Sequence, residues 1–341
     1  GVDLSMTLIG LLVALLFSSI GAMVQICCAA LSQDTHSQQF FRGAGIFVQV
    51  TSYFSLMGMG SELVRYGGVR FWGFNGGPGL YATILASSLL LIYLLFRAAV
   101  AVIQPTGADR MRAVRLTASG GWLLTLAMAV YWALEAASAR FIILWGGLVC
   151  AILVLMTMVA VSERDRISER VARDLPAGQT GRRLAFIISS GAAGGLAWVA
   201  MMTAFTVLVV NLFAGLTRVP YRGDLNEASI AMLTFMSFSI GYGLFAAFIR
   251  RAFFSGMVEI RNNWVIMLLV FVGFSVLPMF LGVFVGSNSD LIMMGNPFVA
   301  SSKLAEGVLA GIGVLFFGLL INFMWLKRQV DEFLTAGQSD K

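Results

Sequence analysis

Charge is scarce in this chain: Asp, Glu, Lys and Arg make up 12% of its 341 residues, about half the share of an ordinary soluble domain. Hydrophobic residues reach 59%, more apolar surface than a soluble fold of this length can hide. Histidine occurs once, as His36, in a polar stretch beside Asp34 and Gln38; a lone loop imidazole is more simply solvated than a general base or metal ligand. The three cysteines, Cys27, Cys28 and Cys150, lie in apolar segments without CxxC or Cys/His spacing, which excludes a disulfide framework or zinc site and leaves them as packing residues. No GxxxxGK[ST] or HExxH motif appears, and Gly191-Ala-Ala-Gly-Gly sits in a hydrophobic run, not in a phosphate loop. No catalytic, cofactor-binding or metal-binding residue is therefore assigned, and no cofactor is expected. The net charge is +6, but the basic residues occupy short connections between apolar runs and form no nucleic-acid-binding face.

The chain is rich in long apolar runs. Windows of about 20 residues, the length that crosses a bilayer as a helix, predict spans near 6–31, 45–62, 79–103, 118–137, 140–161, 184–212, 228–250, 262–286 and 305–326. The second is the weakest, because Gln49, Thr51 and Ser52 interrupt it; an interfacial or re-entrant helix fits nearly as well. The expected fold is all-α: a single polytopic transmembrane helix bundle, residues 1–341, of about eight or nine spans. The chain opens Gly-Val-Asp-Leu-Ser, without Met, and its first apolar run lacks the basic flank and cleavage site of a secretory signal, as expected for a piece of a longer protein.

Lys and Arg divide unevenly between alternate connections. The segments 32–44, 104–117, 162–183, 251–261 and 327–341, with Arg250 at the edge, hold sixteen, whereas the opposite set holds only Arg65, Arg70, Arg140, Arg218, Arg222 and Lys303. Positive charge accumulates on the cytoplasmic side, so the C-terminus is expected in the cytoplasm. Gly1 is then outside for nine spans, or inside if 45–62 does not cross. The longest cytoplasmic connection, 162–183, carries Ile167, Val171 and Leu175 at i, i+4 and i+8 on an otherwise charged helix. That pattern suits an amphipathic loop lying on the membrane or docking a partner, or equally a solvated extension of the fifth span.

Inside the spans only Arg97 and Glu135 are ionisable away from the ends. Both are the candidate intramembrane polar residues, and snorkelling toward the nearer interface explains them. So little charge at membrane depth argues against proton or sodium coupling. Gly191, Gly194 and Gly195 open the sixth span and Gly307 and Gly311 form a GxxxG in the last, predicting close helix packing, while Pro278 is placed to kink the eighth. Between the last two spans, 287–304 is an outer, re-entrant-like segment whose Leu291-Ile-Met-Met294 is too short to cross.

Ser162-Glu-Arg-Asp-Arg followed by Asp174-Leu-Pro176, then Arg182-Arg-Leu-Ala-Phe, Ser190-Gly-Ala-Ala-Gly-Gly and Asn296-Pro-Phe298 ahead of a last span with a basic tail resemble the permease subunit of a bacterial type-2 ABC exporter. The resemblance covers roughly residues 79–330. It implies a bacterial inner-membrane subunit that forms a translocation pathway and leaves ATP hydrolysis to a separate nucleotide-binding subunit. The segments 32–44 and 162–183 are then the docking surfaces, with Arg164, Arg166, Arg170 and Arg173 as docking residues. The chain departs from the family in having more than six spans and in lacking its Glu-rich coupling signature after the first.

Three functions compete: such a permease, dimeric and exporting a lipid, glycan, peptide or small hydrophobic compound; a non-catalytic membrane scaffold or anchor in a homo- or hetero-oligomeric complex; and a lipid-acting enzyme built on Arg218, Tyr221, Arg222, Asp224 and Glu227 in an outer loop. The bilayer is a partner in all three.

Overall fold

The computed structural model describes residues 22, 70–71, 74–75, 78–103, 109–135, 138–163, 168–176, 178–216, 222–254, 263–285, 296–302 and 304–336. They form α1 (Pro78–Ile103), α2 (Arg110–Glu135), α3 (Arg140–Val161), α4 (Glu169–Arg173), α5 (Gln179–Ile188), α6 (Ala192–Leu216), α7 (Arg222–Phe253), α8 (Asn263–Val285), α9 (Pro297–Ser302) and α10 (Leu304–Thr335). A two-residue antiparallel pair, β1 (Arg70–Phe71) with β2 (Phe74–Asn75), precedes them. Residue 22 apart, the predicted spans 6–31 and 45–62, with His36, Cys27 and Cys28, lie outside the described residues.

Five helices among the described residues, α2, α3, α6, α7 and α10, are long and apolar enough to cross a membrane. The 22 residues of α3 extend for roughly 33 Å at 1.5 Å each, a hydrocarbon thickness. Large apolar side chains such as Leu123, Leu155, Leu212, Leu269 and Phe316 remain exposed on these helices and on α8. In water they would be a liability; against lipid they are the expected outer surface. Apart from the short strand pair the described elements are all helices, and the long apolar ones suit a membrane-embedded protein.

Two compact units divide the chain. The first comprises residues 1–106 and 113–121 and contains α1, where Gly121 lies against Leu90. The second comprises 107–112 and 122–341 and is built around α7, whose most apolar stretch is 72% buried among α3, α6, α8, α9 and α10. Small residues set the closest approaches. A Cβ on Gly311 would stand 3.1 Å from the Thr234 carbonyl oxygen, and one on Gly318 would stand 3.2 Å from that of Gly241. Gly307 abuts the Ala300 carbonyl in α9, so the GxxxG of the last span serves two neighbours.

Several boundaries differ from the expected ones for identifiable reasons. The span expected over 184–212 is interrupted: α5 stops at Ile188, Ser189 is extended (φ −77°, ψ 163°), Gly191 takes φ +154°, and α6 starts at Ala192. Leu184–Ile188 is apolar enough to be counted with the span, yet it belongs to a separate helix. The amphipathic helix expected across 162–176 is also broken. α3 ends at Val161, and Ser168 starts α4 by accepting the Val171 N–H at 3.3 Å. Val171 is buried within the protein itself, whereas Ile167 lies outside the described residues. Residues 110–117, expected in a connection, are helical; the Asp109 carboxylate accepts the Arg112 N–H at 3.3 Å and so caps α2. Arg222, Asp224 and Glu227, assigned to an outer loop, occupy the first turns of α7, with Asp224 and Glu227 exposed; acids there suit the helix dipole. Arg218 and Tyr221 lie outside the described residues. α8 runs through Pro278 as helix.

Candidate functional site

Charged residues that apolar packing cannot accommodate collect where α2 starts, α3 ends, α6 starts and α10 ends, all within the second unit. Helix starts expose N–H groups without intrahelical partners, and at α6 these are taken up by side chains from three other segments. Asp109 Oδ1 accepts both the Ser190 N–H and its hydroxyl at 2.8 Å. Ser190 Oγ in turn accepts the Met111 N–H at 2.9 Å. Glu163 accepts the Gly191 N–H, and Gln329 Oε1 accepts the Ala193 N–H at 2.9 Å. Two carboxylates at a helix N-terminus are favoured by its dipole and make charge-assisted bonds.

A second set of bonds holds the connection between α3 and α6. Arg182 is buried although charged, and donates from Nε to the Pro176 carbonyl at 2.9 Å and from Nη1 to the Leu334 carbonyl at 2.7 Å. It therefore ties α5 to the end of α10, where Phe186 and Phe333 also meet edge to face at 5.4 Å. Asn263 Nδ2 donates to the Val161 carbonyl at 2.8 Å and the Trp264 N–H donates to Ser162 Oγ at 2.9 Å, joining the start of α8 to the end of α3. The exposed side of this connection carries Arg170, Arg173 and Arg183 beside Glu169 and Asp174, with Leu184 exposed as well, so cations outnumber acids there by one. Arg173 lies 3.8 Å from Glu169, both almost fully in solvent. The arrangement suits non-covalent docking of an acidic surface, since Ser162, Glu163 and Arg182 tie the two ends of the connection to other elements while the guanidinium groups of Arg170, Arg173 and Arg183 stay accessible.

Of the expected docking residues, Arg170 and Arg173 are on α4 at this junction, while Arg164 and Arg166 lie outside the described residues. Glu135 is the exposed last residue of α2, away from the junction, and Arg97 is half-buried on α1 in the first unit. Of 287–304, residues 287–295 and 303 lie outside the described set. The short helix α9 comes next, started by Asn296, whose Oδ1 accepts the Phe298 N–H at 2.9 Å and whose Nδ2 donates to the Ser275 carbonyl at 2.7 Å.

Sequence reasoning passed over a second polar cluster, where α7 meets α10. Asn322 is fully buried and donates to the Leu244 carbonyl at 3.0 Å and the Gly318 carbonyl at 2.7 Å, and its Oδ1 accepts from Arg251. Arg251 also donates to the Ala247 carbonyl at 3.0 Å and stacks 4.2 Å over Trp325. The available signal was an isolated Asn in the apolar run from Gly307 to Leu326, since a polar residue at membrane depth usually bonds across helices. Among the described residues no group of three or more His, Cys, Asp or Glu could hold a metal ion. No family model matches the chain, and no curated protein or solved structure is significantly similar to it.

Proposed function

We propose that the chain is the membrane permease subunit of an ATP-driven, ABC-type exporter, working with a separate nucleotide-binding subunit. In this reading it forms eight or nine spans in a bacterial inner membrane with its C-terminus in the cytoplasm, and the connection 162–183 receives the partner. One observation carries the proposal: this connection is hydrogen-bonded to the segment that starts α6 through Glu163, to the start of α8 through Ser162 and to the end of α10 through Arg182, while Arg170 and Arg173 remain exposed. A clamped segment passes displacement on to the helices it is bonded to, whereas a loose one absorbs it. ATP-driven movement of a docked partner would therefore reach candidate spans directly.

The test is affinity purification of the tagged chain from its own membranes in mild detergent, with mass spectrometry and an ATPase assay on the eluate. A stoichiometric partner carrying a Walker motif, lost on Arg170→Glu/Arg173→Glu with the chain still present in the membrane, is the expected result. Membrane partners without ATPase activity would favour the alternative, a non-catalytic scaffold or anchor subunit. One feature suits that alternative: Leu309, Phe316, Leu320 and Phe323 leave an exposed apolar stripe along α10, against which another membrane helix could pack.

A further inference from the structure

We infer that the groove between the ends of α7 and α10 binds the phosphate of an anionic phospholipid from the surrounding leaflet. The groove has a volume of about 720 Å³, and its lining includes Arg251, Trp325, Lys327, Arg328, Asp331 and Glu332. It sits where the apolar run of α10 gives way to charge, because Leu326 is followed by Lys327 and Arg328. The last turn of α7 delivers Arg250 and Arg251 to the same end. A phospholipid has this profile, with tails in the hydrocarbon and a phosphate at the boundary.

Each part of such a lipid has a counterpart. Phe316, Leu320, Phe323 and Met324 are exposed on the preceding turns of α10 and offer an apolar surface to acyl chains. Trp325 is the interfacial aromatic that belongs at headgroup depth, and the Arg251 guanidinium stacked on it is held by the Ala247 carbonyl and Asn322. Three cations face two carboxylates in the lining, and Arg328 lies 3.5 Å from Glu332 one turn away. Lys327 is exposed, so a phosphate approaching from the bilayer side meets Lys327 and Arg251 with Asp331 and Glu332 further along the helix. Basic pockets between helices on the cytoplasmic side are the usual recognition chemistry for anionic lipid headgroups. A neutral or zwitterionic lipid would leave the excess positive charge unanswered. Such binding requires membrane embedding but no ATPase partner.

The full chain, purified in mild detergent, is titrated with phosphatidylglycerol or phosphatidylcholine and read by native mass spectrometry. Phosphatidylglycerol is expected to remain bound at collision energies that strip phosphatidylcholine. Lys327→Gln/Arg328→Gln, both exposed positions, is expected to weaken its retention by about twenty-five-fold, given roughly fivefold per cation near a membrane surface. Arg112→Gln, an exposed cation elsewhere, removes charge without touching the groove and should leave retention unchanged. Equal retention of the two lipids, or an equal loss in Arg112→Gln, would overturn the inference. Displacement of the lipid by millimolar inorganic phosphate would overturn the lipid as the source, assigning the groove to a soluble phosphate instead.

Discussion

Asn322 is the residue on which the α7–α10 contact is most exposed to a single change. Its amide supplies a donor to the Leu244 carbonyl on the facing helix and an acceptor to Arg251, so truncation takes a partner from a half-buried guanidinium and from a carbonyl. Asn322→Ala is expected to destabilise the fold by about 1–2 kcal/mol. The measurement is the unfolding midpoint in mixed micelles of increasing dodecyl sulfate content. An unchanged midpoint would mean that water or a neighbouring group replaces the amide. By contrast, the Arg173–Glu169 pair is almost fully solvent-exposed, and breaking it should leave stability untouched.

At the scale of elements, the connection between α3 and α6 is held in place by long-range capping. The partners of Ser190, Gly191 and Ala193 lie 81, 28 and 136 residues away in sequence. Glu163→Ala removes the charge-assisted bond to the Gly191 N–H, the kind worth about 1.5–3 kcal/mol, and Asp109→Ala frees Ser190 in the same way. Either variant is expected to open the connection locally and to speed tryptic cleavage after Arg170, Arg173 and Arg183, on the order of tenfold where opening precedes cleavage. Cleavage at the wild-type rate in both variants would show that Arg182 and its two carbonyl bonds suffice to hold it.

At the scale of the molecule, the charge asymmetry and the helix order together make a topological prediction. In a chain whose three natural cysteines are replaced by alanine, Glu227→Cys near the start of α7 should react with a membrane-impermeant maleimide in intact cells. Arg173→Cys on α4 should react only after permeabilisation, because α6 lies between the two positions. The reverse pattern would invert the proposed orientation, and labelling of both from one side would show that α6 does not cross.

Periodicity and hydropathy alone were enough to expect the long apolar helices that the described residues form and to place some of them almost to the residue. The span expected at 140–161 is α3, Arg140–Val161, one of the helices long and apolar enough to cross, and the segment expected at 262–286 is helical as α8, Asn263–Val285. These succeed because a helix in lipid satisfies its own backbone, so apolar length is sufficient to specify it. The Gly307/Gly311 pattern likewise announced close packing, since a missing Cβ acts wherever the partner happens to be. Only the tertiary structure decided that Leu184–Ile188 leaves the sixth span, that Arg110–Thr117 joins α2, and that Asp109, Glu163 and Gln329 converge on the start of α6. Hydropathy is a local sum, whereas a helix end is settled by which distant group takes up its unpaired N–H. Arg170 and Arg173 could be singled out as exposed cations from the chain alone, but the clamp beneath them is made by residues whose meeting depends on the fold.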